Sequence, residues 1–477
     1  MKHYPRWIGI LRRILLWLGI GATLIAAAVV EEDMRGERAW RAYRAAKAAS
    51  PEPLDYAHYA PKRVPDAENL FMAPILRQFF NPADKKATAW LEFSRRDKDP
   101  VEVWKSFGQW ERGQRADFDG AYRKLKHLSE KAPLPDRRVE AELVLAQFDA
   151  IKADLDAVAQ AASKRRRSQI EFLPDGSFVP NSFGALREIP SLLSWRATTE
   201  IELGRTDDAY RDLYASLRVV EGSMSMPSVL HLTFGGVLAV RSLQPLWEGL
   251  LRGAWSDGQL RELQDLLATF RPLGGLTTAL AAHRAAAVQF DEPLPWPKWM
   301  PEGWRKLNLI NYLELSTTWN STLFEPSGAR VYVPAIVNLN AYSEIQGRSV
   351  SPFGWYLRRR GLQPRLVLNM ASGQNAYVLA GTACALERLK RASGRYPASL
   401  SELVPEYMPS LPLDVIDGAP LRYFPTADGK FKLYSIGSNG VDDHGAYPSG
   451  TKGIYPWTPD WPGLGDGDWQ WPATPTN

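Results

Sequence analysis

Four aspartates near the end of the 477-residue chain are the residues best suited to hold a metal ion: Asp442 and Asp443 in VDDHG, and Asp466 and Asp468 in GDGDWQW. Carboxylates on glycine-rich turns offer hard oxygen ligands, which suit calcium because that ion tolerates irregular geometry. Asp-Gly sequences also make ordinary turns, and the stretch from Tyr447 to Gly465 separates the two pairs, so both readings stand. Trp457, Trp461, Trp469 and Trp471 share this tail. Flat indoles stack on sugar faces, which makes a glycan a candidate ligand, with Asp460 and Asp466 available for hydroxyl contacts. Indoles also cover small sheets that lack a deep core.

Other chemistry finds little support. The histidines His3, His58, His127, His231, His283 and His444 are scattered, with no i,i+4 pair and no HExxH zinc motif. GxSxG, Walker-type and GxGxxG patterns are all absent. Acidic pairs occur throughout, but spacing alone does not bring two carboxylates to one substrate. A hydrolase using clustered acids therefore ranks below a binding role. The single Cys384 lies in an apolar helical pattern, which reads as a buried structural thiol.

Charge placement excludes one partner and suggests another. Of the formal +5, Lys2, Arg6, Arg12 and Arg13 supply +4, so the rest of the chain is near neutral and a nucleic-acid surface is disfavoured. Directly after Arg13, Ile14 to Val30 runs 17 residues without a charge, about the shortest length that spans a bilayer as a helix. Trp7 and Trp17 suit the interface. The reading is a single-pass signal anchor at the cytoplasmic or inner membrane, with a cytoplasmic N-terminus and the bulk extracytoplasmic. A cleaved signal peptide ending near Ala26-Ala27-Ala28 is the rival. Arg35, Arg38, Arg41, Arg44 and Lys47 beyond the segment weaken the orientation argument.

The elements that must position these residues follow from periodicity and punctuation. Residues 1–30 are the cytoplasmic tip and anchor; 31–71 form a helical stalk and a Pro-rich linker that Tyr56, Tyr59 and Phe71 can pin to a neighbouring surface. Residues 72–290 read as a helical domain of antiparallel hairpins, with Gly stops at 204 and 253, caps at Thr206 and Ser256, and one helix from about Ser228 to Leu251. One pair, EIELGRTDDAYRDLYASL, resembles an irregular tetratricopeptide unit. Lys164 to Arg167 are cations at a helix C-terminus, where they meet its dipole. IEFLPDGSFVP suggests a small hairpin near 170–180. Residues 291–364 read as an irregular Trp/Pro-rich connection, in which Trp296, Trp299 and Trp304 either pack on the helical layer or meet lipid headgroups. Residues 365–477 read as an α+β module: a helix stopped by Gly394, a short capped helix over ASLSELVPEYM, then strands PLRYFP and KFKLYSIG.

The Gly394-Arg395-Tyr396-Pro397 helix end, the Leu411-Pro412-Leu413-Asp414 turn, the paired strands, and Tyr434-Ser435-Ile436-Gly437 before an acidic loop resemble type II secretion major pseudopilins. Asp417-Gly418-Ala419-Pro420 stands where those proteins have a Trp-Gly turn. The resemblance implies a pseudopilin-like module with calcium at Asp442 and Asp443. The larger order of anchor, stalk, helical middle and pseudopilin-like end resembles an uncharacterised group of membrane-anchored proteins of Planctomycetes and Verrucomicrobia. The expectation is a mainly α-helical, membrane-anchored binding or scaffolding protein of the cell envelope with envelope protein partners; a relation to secretion is what the resemblance implies.

Overall fold

A single helix, α1, carries the chain from Arg6 to Ala48 in a computed structural model that describes residues 6–80, 109–127, 135–176, 182–290, 300–348, 365–446 and 467–472. Its first half is apolar yet uncovered: Trp17 is 70% exposed and Ile25 68%. A soluble protein would bury such a face; this helix is long and apolar enough to cross a membrane. The described chain is mostly helical and forms two compact units.

The first unit takes Met1–His58, Ala281–Trp319 and Asn338–Gln363. In it the polar half of α1 meets the first turn of α12 (Glu302–Thr322). The two backbones touch, since a Cβ on Gly36 would lie 2.3 Å from Gly303 Cα. Asp33 accepts the Gly303 amide at 2.8 Å, Glu32 accepts Trp304 Nε1 at 2.7 Å, and Glu37 pairs with Lys306. Trp40 and Tyr43 then pack on Ala287, Leu309, Tyr312 and Leu313. Tyr56 is pinned as expected: it is buried, meets Phe290 edge-on at 5.3 Å, and its amide donates to Gln289.

Residues 291–364 are not irregular throughout. α12 and α13 (Val333–Arg348) occupy most of the described part, and α11 (Leu276–Gln289) precedes them. Two of the polar residues that hide α12 in the sequence, Ser316 and Thr317, return their hydroxyls to carbonyls one turn back. Trp296 and Trp299 lie outside the described residues, and Trp304 packs its indole N–H on α1.

The second unit holds Tyr59–Leu280, Asn320–Val337 and Pro364–Asn477. Its helices include α2 (Pro74–Phe80), α3 (Phe118–Leu125), α4 (Arg137–Ala146), α5 (Lys152–Lys164), α6 (Ser182–Glu202), α7 (Thr206–Glu221), α8 (Val229–Ser242), α9 (Gln244–Leu251), α10 (Asp257–Thr269) and α14 (Arg365–Ser393). The α6–α7 hairpin turns at Gly204 (φ +76), and Arg196 pairs with Asp212 across it. Thr206 is the first helical residue rather than the cap. The expected 228–251 helix breaks at Leu243, where Pro245 opens α9. Ser256 does cap α10, in a reciprocal box with Gln259.

The Pro-rich linker is held where the basic cluster lies. Arg165 donates to the Asn69 carbonyl at 3.0 Å and also to that of Asp66, while Leu70 N donates to Arg167 O at 2.7 Å. Phe71 is fully buried, stacked on Phe80 at 4.0 Å. This use of residues 165–170 displaces the expected hairpin. Asp175-Gly176 does turn, but no strand forms from Ile170 to Leu173, and 177–181 lie outside the described residues.

The boundary drawn at 365 lies one residue from the division at Gln363/Pro364 and that at 290 ten residues from Leu280/Ala281, while residues 365–477 share one unit with Tyr59–Leu280. α14 packs on α8 and α10, and residues from α2 to Trp471 share one apolar cluster. The expected strands form as Arg422–Pro425 (β1) and Phe431–Ser435 (β2), antiparallel with Tyr423 opposite Leu433. Trp469–Trp471 adds an unforeseen third strand, β3, antiparallel to β2. The short capped helix is a single 3-10 turn, Leu400–Leu403, because Pro405 has no amide to extend it.

Candidate functional site

Where α9 ends, α14 passes and the sheet closes, the second unit leaves a cleft of about 470 Å³. Its apolar wall comes from Trp247, Leu250, Ala383, Phe431 and Trp471. Arg115, Arg252, Lys390 and Lys430 line it against one lining carboxylate, Glu387. On α14 the spacing Ala383, Glu387, Lys390 places all three on one helix face. Gly253, at φ +63, ends α9 in the left-handed conformation that L side chains avoid.

Each polar group is positioned by its neighbours. Tyr396 donates its hydroxyl to Glu387; Lys390 Nζ donates to the Tyr396 hydroxyl oxygen at 3.2 Å and lies 4.4 Å from that ring's centroid. Burial and the adjacent Glu387 carboxylate push Tyr396 well above the ordinary phenol range, so it remains a donor. Behind the wall, Glu202 takes Arg115 at 3.0 Å, Arg137 at 3.1 Å and Arg252. Burial works against that carboxylate, but Arg137 and Arg252 hold it below its usual range. Glu248, fully buried, accepts the Ala116 amide at 2.8 Å and Gln244 at 2.9 Å, fixing the segment that carries Arg115. Among the described residues that line the cleft the carboxylate is Glu387, which accepts from Tyr396.

The tryptophans expected to stack on sugars divide. Trp471 is 3% exposed, with its ring 4.9 Å from Trp110, and the neighbouring Pro472 carbonyl accepts Trp247 Nε1 at 2.7 Å. It is a core residue because β3 turns it inward. Trp469 is half-buried at the start of β3, and Trp457 and Trp461 lie outside the described residues.

The acidic residues meet protein donors. Asp442 accepts the Tyr434 hydroxyl at 3.1 Å and the His444 amide at 2.9 Å; Asp443 accepts Asn439 Nδ2 at 2.9 Å. Asp468, buried, accepts the Gly445 amide at 2.6 Å and the Asp443 amide at 3.3 Å. These hydrogen bonds close the loop onto β3, and among the described residues no group of three metal-ligating side chains converges. Asp466 lies outside the described residues.

Sequence reading missed the cleft. Its charges come from positions 115, 252, 390 and 430, too far apart in the chain for spacing to group them. No known protein family, curated protein or solved structure matches the chain.

Proposed function

We propose that this chain is a membrane-anchored, extracytoplasmic binding or scaffolding protein of the cell envelope that takes a ligand in the cleft of its second unit. The supporting observation is α1: its uncovered apolar segment continues without a break into a polar stalk that clamps α12 through Gly36 and Gly303. Glycan binding and acid-based hydrolysis rank lower, because Trp471 is core and the described cleft lining offers one carboxylate.

The sole cysteine makes the test simple. Cys384 is buried and its thiol is pushed up to about 12 by burial, so it stays silent to maleimides. The chain carrying Glu406→Cys, at an exposed position, is expected in the carbonate-washed membrane pellet and labelled by an impermeant maleimide in intact cells. Labelling only after lysis, or release by carbonate, overturns the reading.

A further inference from the structure

We infer that the cleft between α9, α14 and the sheet binds a singly charged organic anion, a carboxylate carried on a compact apolar or ring body. This rests on the binding role proposed above and names the ligand class of that same site. The charge follows from the lining. Four cations stand against one carboxylate. Glu202 and Glu248 behind the wall offset part of the excess, but Glu202 is shared among three arginines, so a small positive surplus faces the cleft.

A small surplus suits a monoanion better than a doubly charged phosphate. The donors suit a carboxylate as well. Arg252 already binds one carboxylate, Glu202, and its guanidinium has five N–H groups, so it can take a second, while Arg115 is held between Glu202 and Glu248. Their side chains are about one-third exposed, 27% for Arg115 and 34% for Arg252, and their positions are set by Glu202 before any ligand arrives. Lys430, on the exposed turn before β2, adds a further positive charge to the lining.

The ligand body follows from the other wall. Leu250 and Tyr396, both partly exposed, give the apolar surface, and Tyr396 meets Phe431 edge-on at 4.9 Å, which holds its ring where another flat group can pack. A volume of about 470 Å³ accepts a ligand the size of a phenyl or indolyl acid with room for a linking group.

The test uses the full chain in detergent micelles and fluorine NMR of 4-(trifluoromethyl)phenylacetate, with the matching neutral amide and 4-(trifluoromethyl)phenyl phosphate as comparisons. The carboxylate line is expected to broaden and shift on addition of protein, with the amide at least tenfold weaker and the phosphate no tighter than the carboxylate. Arg252→Gln and Lys430→Glu are each expected to weaken carboxylate binding at least tenfold. Lys430→Glu sits on an exposed turn, so its effect is read in a folded protein even if Arg252→Gln does not fold. Equal binding of acid and amide, tighter phosphate binding, or unchanged affinity in Lys430→Glu overturns the assignment. Neither variant touches α1, so loss of anion binding with membrane retention intact leaves the anchored binding role standing, whereas the impermeant-label result tests that role by itself.

Discussion

Asp414 shows what a residue can do that its surroundings in sequence do not announce. It closes a Leu-Pro-Leu-Asp turn, yet it is fully buried and accepts the Ile416 amide at 2.9 Å, the Ser435 hydroxyl at 2.8 Å and the Ile436 amide at 3.0 Å, with Arg422 at 3.3 Å. One carboxylate thus ties the turn to the end of β2, some twenty residues on. The same limit explains Trp471, whose inward direction depends on β3 pairing with β2. Residue type was legible at both positions; direction was not, because it is set by partners distant in the chain. His231 carries the clearest prediction at this scale. It is 1% exposed in the first turn of α8, its ring 4.3 Å from that of Phe183, and burial lowers it to about 4. A depressed pKa means that the folded state binds fewer protons than the unfolded one, whose histidine titrates near 6.5. Its contribution is therefore whole above pH 6.5 and is lost as pH falls toward 4, by roughly 3 kcal/mol. Thermal unfolding followed from pH 7.5 to 4.5 should show this acid-side decline, and His231→Leu should flatten it; an unchanged slope in the variant would refute the assignment.

Elements were legible where local chemistry alone decides them. Gly204, Gly253 and the Ser256 box punctuate helices as read, since a left-handed stop or a side-chain cap needs no distant partner. β1 and β2 likewise followed from alternation across a four-residue turn. Three-residue β3 and polar α12 were illegible, because one is too short for a pattern and the other buries its apolar stripe among many Asn, Ser and Thr residues. The crossing of α8 and α14 belongs to this second class. A Cβ on Gly236 would lie 2.5 Å from Asn369 O, and one on Gly373 would lie 2.4 Å from Gly236 Cα, so backbone meets backbone. Replacing glycine by alanine inside a helix ordinarily stabilises by about 1 kcal/mol. At Gly236 the sign should reverse, because neither backbone can yield without separating the helices, with an expected loss of about 2–3 kcal/mol. Gly258, in the first turn of α10 with nothing within 4 Å of its Cβ position, is the control and should gain a few tenths to about 1 kcal/mol on the same change. Denaturant unfolding of Gly236→Ala and Gly258→Ala checks both; a stabilised Gly236→Ala would show that the crossing is looser than described.

At the scale of the whole molecule, composition pointed to a mildly basic globular protein, and placing the charges separated a basic tip from a near-neutral body. The uncovered apolar half of α1 agrees with that separation. What could not be read was the joining of distant segments. The first unit returns to the stalk after more than two hundred residues, and α14 completes a core begun at Leu70, because interdigitating side chains select partners by shape, which pattern does not encode. The stalk clamp bears on whether the apolar segment is retained. Cleavage after Ala28 would leave Glu32, Asp33 and Gly36 on their α12 partners and would free the body from the bilayer without unfolding its first unit. Retention is therefore a question of peptidase access rather than of stability, and it can be read directly. Trypsin cuts after Arg13 and Arg35, so protein taken from its native membrane should yield the peptide Ile14 to Arg35 intact. A peptide ending at Arg35 but beginning at Ala27, Ala28 or Val29 would instead identify a processed, released protein, and the anchored role proposed here would fall with it.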